Sequence, residues 1–259
     1  MLRAGGFRLY TQKGRFVDLW LNGGAAILGH TPPNLLRGLK NTASRGLYAP
    51  YPHFTEARFI KALLKLFPEY KFRLYAAPPQ ELISLFMNNK AKLWRPFTDA
   101  AVSLNKTKPP SLPFLVPVLS GTQTWREFST DLMLPLGLCV AACQSEDDLA
   151  QLPPSDALSP ILLAMAARGV HDLIAASPQR ARPQLPRTFK ALKANTCPWQ
   201  REGIYLYKKE KPDNETWSLL FDKFQQAGFL LPPSPAHPVI LPGELSDGED
   251  AKLAAVLLG

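Results

Sequence analysis

Strand-like and helix-like segments alternate along this chain, and that alternation restricts the fold more than any other feature of the sequence. Apolar runs at 114–119 and 136–142 are typical of buried strands. Between such runs apolar residues recur at helical spacing, most clearly at Phe59, Leu63 and Phe67. Strands that alternate with helices predict an α/β architecture.

The same patterns give approximate bounds for each element. The predicted strands cover residues 7–10, 16–21, 72–76, 114–119, 136–142, 203–208, 229–231 and 239–241. The predicted helices cover residues 33–44, 55–67, 79–88, 161–176, 215–227 and 247–258. Thr55 is expected to cap the second helix. The Pro/Arg-rich stretch 177–187 is predicted to be a connector and a domain boundary.

Composition agrees with a folded protein. Of 259 residues, 46% are hydrophobic and 20% charged, which excludes global disorder. Proline is more frequent than glycine, at 26 residues against 16. Because proline cannot donate a backbone hydrogen bond, many short elements and rigid loops are expected.

The chain is basic, with 30 Lys and Arg against 21 Asp and Glu, a net charge of +9. Such a charge favours anionic partners, here a small anionic ligand or a protein partner of unknown identity. The excess is spread along the sequence, and its densest run, at 208–211, is interrupted by Glu210. No nucleic-acid recognition motif accompanies the charge, so nucleic acid is not the expected partner.

Cysteine usage and hydropathy indicate the compartment. Cys139 and Cys143 lie in an apolar run and, with Cys197, form no CxxC pair, so buried thiols are expected. An odd count of cysteines suits a reducing compartment. No run of about 18 apolar residues and no signal-peptide pattern is present. A cytoplasmic protein without a membrane span is therefore expected.

Motifs for other chemistry are missing. The four histidines, His30, His53, His171 and His237, do not have metal-ligand spacing, so no metal site is expected. Ser120-Gly121 is not part of a Gly-x-Ser-x-Gly nucleophile elbow, and the chain has no P-loop.

Four stretches, in order, resemble the class III aminotransferases, such as the glutamate-1-semialdehyde aminomutase group. The family motifs are an opening "DL…ILGH-x-P", a strand before a Ser-Gly-Thr phosphate cup, "GLPIGA" with "GNPL", and "G-x-x-x-x-PS" with "T-x-E-D". The matching stretches here are 16–20 with 26–32, then 72–75, then 134–137 with 158–160, and finally 228–234 with 246–250.

The resemblance implies a shortened fold-type-I architecture, since the family's middle part is much longer. A reduced three-layer α/β/α domain over 71–187 is expected, with a small α+β domain built from 1–70 and 188–259. The resemblance also implies a homodimer, with Leu21, Ile27 and Leu28 as candidates for its interface.

Enzymes of this family bind pyridoxal phosphate, and the residues that would hold it are changed here. Ala77, Pro78 and Pro79 stand where the family has its phosphate cup, and two prolines remove two N–H donors. Val116 stands where a carboxylate would hold the proton of the pyridine nitrogen. Ser155 stands near the position where the family has a threonine that reaches the phosphate across the dimer interface. The alternative is that Ser155 is an ordinary loop serine.

The lysine that the family uses for its Schiff base has no counterpart, since no lysine occurs between Lys108 and Lys190. The sequence therefore predicts a pseudoenzyme without catalytic residues or cofactor, acting through ligand or partner binding. Two alternatives stay open. One is an active aminotransferase or aminomutase whose lysine has moved, with candidates Lys106, Lys108, Lys190 and Lys193. The other is a basic nucleic-acid-associated protein.

Overall fold

The structure is a computed structural model that describes residues 1–24, 26–88, 92–93, 114–115, 138–143, 145–180, 183–210, 212–235 and 239–259. Contacts divide the chain into two compact units. One unit combines the chain ends, residues 1–31 and 177–259, and the other comprises residues 32–176. These bounds differ from the expected segments 1–70, 71–187 and 188–259. Residues 32–70 were expected with the chain ends but belong to the unit of residues 32–176, whereas residues 177–187 were expected in the large domain but belong to the unit of the chain ends.

Strands and helices alternate as the sequence predicts. The described strands are β1 (Arg3–Gly5), β2 (Arg8–Thr11), β3 (Gly14–Asp18), β4 (Lys71–Tyr75), β5 (Lys92–Leu93), β6 (Phe114–Leu115), β7 (Cys139–Cys143), β8 (Trp199–Glu202), β9 (Tyr205–Lys208), β10 (Phe229–Leu230) and β11 (Val239–Ile240). The described helices are α1 (Pro33–Ala43), α2 (Thr55–Leu66), α3 (Gln80–Met87), α4 (Glu146–Ala150), α5 (Pro160–Arg180), α6 (Pro186–Leu192), α7 (Asn214–Gln226) and α8 (Asp247–Leu258).

The unit of the chain ends contains two sheets. The first has the order β1-β2-β3-β10, and its β2–β3 hairpin pairs Leu9 with Phe16. Strand β10 adds to it in parallel, with Phe229 beside Val17. The second sheet has the order β11-β9-β8. Buried apolar side chains on both sheets and on helices α7 and α8 form the core; they include Leu19, Trp199, Phe224, Phe229 and Leu253.

The loop after β3 is fixed by a buried carboxylate. Asp18 accepts hydrogen bonds from the N–H groups of Trp20, at 2.8 Å, and Leu21, at 2.9 Å. These bonds hold Leu21 at a φ of +50°, where a residue with a side chain is strained. Leu21 and Ile27 are buried within this unit. They are therefore unsuited to the interface role that the sequence suggested.

The unit of residues 32–176 contains a sheet with the order β4-β7-β6-β5. Strand β4 runs antiparallel to β7 and pairs Tyr75 with Cys139. A core cluster covers one face of this sheet and joins Tyr75, Leu82, Cys139, Ala141, Cys143 and Leu152. The three cysteines of the chain are free and buried, as the sequence predicted.

One local prediction was wrong. Helix α2 has Phe54 at its N-cap and no side-chain cap, because the Thr55 hydroxyl bonds to His53 Nδ1 instead, at 3.0 Å. The predicted connector 177–187 does contain the boundary between the two units, which falls at Ser177, but its residues 177–180 belong to helix α5.

No helix among the described residues is long and apolar enough to cross a membrane.

An ion pair joins the first sheet to the last helix. Arg8 donates to Glu249 from Nε at 2.9 Å and from Nη2 at 2.6 Å. Glu249 also accepts from the backbone N–H of Ser246, at 2.8 Å, and completes the capping box of α8. Its side chain is only 10% exposed. The hydrogen bonds from Arg8 lower the pKa of Glu249 from its usual 4.5 to about 2.

We predict that Glu249→Gln lowers the free energy of unfolding at pH 7 by about 1.5–3 kcal/mol, the range for a charge-assisted hydrogen bond. A carboxylate with a depressed pKa stabilises the folded state above its unfolded pKa, and this contribution is lost as the pH falls through the folded pKa. The wild-type protein should therefore lose stability between pH 4.5 and about 2. The variant should lose less over the same window.

The measurement is urea denaturation followed by circular dichroism across that pH range. Glu244→Gln is the matched control, because Glu244 lies 3.8 Å from Arg8 but is 72% exposed. Equal effects of the two substitutions would contradict the assigned role of Glu249.

Candidate functional site

The residues that the resemblance assigns to phosphate binding lie at the end of β4. Strand β4 ends at Tyr75, and α3 begins at Gln80. The turn between them holds Ala77, Pro78 and Pro79 at or near the surface. A helix N-terminus that follows a strand is a common place for a phosphate, because its backbone N–H groups point outward. This turn is therefore the first place to test for a cofactor site.

A second segment, residues 153–156, lies along the free edge of β4. The Leu74 N–H donates to the Ser155 hydroxyl at 3.0 Å, and the Asp156 N–H donates to the Leu74 carbonyl at 2.8 Å. The Tyr75 hydroxyl donates to the Pro153 carbonyl at 2.7 Å. Burial raises the pKa of Tyr75 well above its usual range, so this hydroxyl stays protonated as a donor. Residues 153–156 thus form an edge clip on β4.

The edge clip also reaches the turn. The Ala76 N–H donates to Asp156 Oδ2 at 2.8 Å, so a carboxylate already lies against the first amide after β4. Glu81 adds a second acidic side chain in the first turn of α3. Both would repel an anion near this end of the helix.

The turn fits a phosphate group poorly. Such a group needs several N–H donors and no competing negative charge. Pro78 and Pro79 have no N–H to offer, Ala76 donates to Asp156, and Asp156 and Glu81 supply negative charge. Ser155, whose hydroxyl accepts from Leu74, helps to hold the strand edge of its own chain.

The remaining predicted positions are Val116 and the four candidate lysines. Val116, Lys106 and Lys108 lie outside the described residues. Lys190 is exposed on α6, and Lys193 is exposed just beyond that helix. Both belong to the unit of the chain ends, whereas the turn belongs to the unit of residues 32–176.

The thiols do not provide an alternative nucleophile. Burial raises the pKa of Cys139 far above its usual range and that of Cys143 to about 12. Since the thiolate is the reactive form, both thiols are inert at neutral pH. Cys197 is also buried and lies 3.7 Å from the Leu257 carbonyl.

His30 has hydrogen-bond partners within its own unit. His30 Nε2 lies 2.9 Å from Asp18 Oδ2, and its backbone N–H donates to the Gly6 carbonyl at 2.7 Å. Gly29 precedes it at a φ of +94°, and a Cβ there would lie 2.9 Å from that same carbonyl oxygen. The Gly-His pair of the sequence motif is thus explained by close backbone packing. His237 lies outside the described residues.

No group of three or more His, Cys, Asp or Glu side chains in the described part of the chain is placed to hold a metal ion.

Sequence comparison finds relatives of this chain but no described family. No protein-family model matches the chain. An uncharacterised protein of Treponema pallidum is 29% identical over 93% of this chain and 88% of its own length. An uncharacterised protein of Borreliella burgdorferi is 41% identical, but over 34% of this chain and 35% of its own.

Solved aminotransferases align along nearly the whole chain. Plasmodium falciparum ornithine delta-aminotransferase gives a TM-score of 0.66 at 11% identity, covering 99% of this chain and 91% of that chain. Acetylornithine aminotransferase from Elizabethkingia anophelis gives 0.62 at 10% identity, covering 98% and 91%. The chain has the aminotransferase fold. At such low identity, this likeness concerns the fold and not the chemistry.

Within this aminotransferase fold, Asp156 was missed by the sequence analysis. Ser155 was found through the resemblance, and its neighbour carries the charge that matters at the turn. No sequence signal pairs Asp156 with Ala76, because the two residues are 80 positions apart.

We predict that Ser155→Ala lowers the free energy of unfolding by about 1–2 kcal/mol, because it leaves the partly buried Leu74 N–H without its acceptor. Urea denaturation measures the change. Ser84→Ala is the control, since Ser84 is exposed on α3 and bonds only to the Gln80 carbonyl in its own helix. If both variants match the wild-type protein, the edge clip does not stabilise β4.

Proposed function

We propose that this protein is a non-catalytic relative of the aminotransferases that acts by binding a ligand or a protein partner. The observation that carries the proposal is the hydrogen bond from the Ala76 N–H to Asp156, next to two prolines. By the resemblance, this turn corresponds to the phosphate cup of an aminotransferase, and here the protein's own carboxylate binds at its edge. The bond therefore supports loss of cofactor binding rather than a change of substrate.

The sequence supports the same conclusion at two further positions. Val116 replaces the carboxylate that would hold a proton on the pyridine nitrogen. No lysine occurs between Lys108 and Lys190, and an arginine is no substitute because its guanidinium stays protonated. Each change removes a residue that meets a different requirement of the cofactor chemistry. An error in aligning one motif with the family therefore does not explain all of the changes.

We also propose a homodimer, because the resemblance implies one and two-fold pairing is the commonest assembly. Leu21 and Ile27 are buried within their unit, which leaves Leu28, partly exposed, as the remaining predicted candidate.

Purified protein titrated with pyridoxal phosphate should show no stoichiometric absorbance band of a lysine-bound cofactor. Loss of the cup, the acid and the lysine removes at least three strong contacts, each worth about 1.5–3 kcal/mol. Because each 1.4 kcal/mol is about tenfold in affinity, binding should be weaker by several powers of ten.

Exposed lysines give weak background colour, so the stoichiometry and the site decide the result. Borohydride reduction followed by peptide mapping identifies any modified lysine. The variants Lys106→Ala, Lys108→Ala, Lys190→Ala and Lys193→Ala test the candidates, with Lys252→Ala on α8 as the exposed control. Tight one-to-one binding abolished by one of the first four would mean that the lysine has moved and that the protein is an enzyme.

Light scattering tests the dimer separately. A mass of twice 28.7 kDa is expected. A mass equal to that of one chain at high protein concentration would exclude the homodimer and leave the binding proposal intact.

A further inference from the structure

One face of α2 carries a row of exposed side chains. Phe54, Arg58, Lys61 and Lys65, called here the α2 stripe, follow the spacing i, i+4, i+7 and i+11, and all four are exposed. Residues at this spacing lie above one another on a helix. With a rise of 1.5 Å per residue, the stripe is about 16 Å long.

The stripe has one sign of charge. The buried side of the same helix is formed by Thr55, Phe59, Ala62 and Leu63. Glu56 is the acidic residue of α2, and at about 100° per residue it lies roughly 160° around the helix from Arg58. Its charge therefore does not neutralise the stripe.

Aromatic side chains extend the stripe at its N-terminal end. Tyr48, Tyr51 and Phe54 are 67%, 73% and 55% exposed, although burying large aromatic side chains is normally favourable. The Arg58 guanidinium lies 5.8 Å from the centre of the Phe54 ring. The centre of the His53 ring lies 4.2 Å from the centre of the same Phe54 ring. These contacts connect the aromatic residues to the cations.

Helix α5 lies beside the stripe without adding net charge to it. The pKa of His171 is lowered by burial and by the charges of Lys65 and Arg168, which lie near it. Asp172 pairs with Arg168 and also accepts from the Asn34 amide at 3.2 Å. The positive charge of this surface is therefore that of the three cations of the stripe itself.

We propose that Tyr48, Tyr51 and the α2 stripe form a docking surface for a protein partner that presents an acidic face. This proposal rests on the non-catalytic binding function and names the chemistry of the partner. Tyr and Arg are enriched in the energetically dominant centres of protein interfaces, and complementary charge guides association.

Two other occupants are tested against the protein partner. A second copy whose two-fold axis passed through the stripe would place the cations of one stripe against those of the other, at a cost of several kcal/mol. Single-stranded nucleic acid can stack bases on the exposed rings of Tyr48 and Tyr51, and the oligothymidylate described below tests it. The exposed side chain of Leu64 on the same helix favours the protein partner, because it offers bases no ring to stack on.

Fluorescence anisotropy on the full chain tests the proposal. The probe is a labelled synthetic helix with glutamates at i, i+4 and i+7 and leucines between them. Its controls are a scrambled peptide of the same composition and an oligothymidylate of equal net charge. The designed helix should bind more tightly than both, with an affinity that falls as salt increases.

Charge reversal identifies the surface. Lys61→Glu with Lys65→Glu should weaken binding of the helix by about thirtyfold or more, since like charges then face each other. Lys223→Glu with Lys252→Glu changes the net charge equally at exposed positions of α7 and α8 and should leave the affinity within about twofold. Tyr48→Ala with Tyr51→Ala should weaken binding about tenfold and leave its salt dependence unchanged.

Several results would overturn the proposal. They are tighter binding of the oligothymidylate, equal binding of the scrambled peptide, equal loss in both reversal variants, absence of binding, or self-association that the Lys61→Glu, Lys65→Glu variant abolishes. Circular dichroism of each variant confirms that it is folded. Since cofactor titration has a separate readout, a failed docking surface and a failed non-catalytic function are distinguishable.

Discussion

The parallel pairing of β3 with β10 closes the chain on itself, and the unit of the chain ends depends on it. The N–H groups of Val17 and Leu19 donate to the carbonyls of Gly228 and Leu230, both at 2.9 Å. The Leu19 carbonyl in turn accepts from the Ile240 N–H at 2.6 Å. Leu19 therefore links the two sheets of this unit. The ion pair of Arg8 with Glu249 ties the same sheet to α8.

Helices and strands that are determined by residues close together in the sequence were predictable. Helices α2 and α7 have clear apolar periodicity, α8 begins with a capping box, and the β2–β3 hairpin pairs neighbouring segments. The α/β alternation agrees with the aminotransferase fold found by comparison. Strands β1 and β8 were missed, since Arg3–Gly5 and Trp199–Glu202 lack the β-branched pattern that marks a strand.

The candidate site was less predictable because its contacts are distant in sequence. Resemblance located Ser155, but its bond to Leu74 spans 81 positions. The role of Asp156 likewise depends on where the edge clip lies. The α2 stripe is an intermediate case. Its spacing is present in the sequence, but the linear reading described the positive charge as spread along the chain, and only the buried face of α2 shows which cations share a surface.

The closing pair β3 and β10 also sets the order in which the protein can be completed during synthesis. Residues 17 and 228 are separated by most of the chain, and at about 5–20 residues per second the ribosome needs roughly 10–40 s to pass from one to the other. During that interval β3 has an unpaired edge, which is a template for association with other nascent chains. The first sheet thus begins first but stays incomplete for most of the synthesis, and its N-terminal hairpin needs protection from association until β10 has been made.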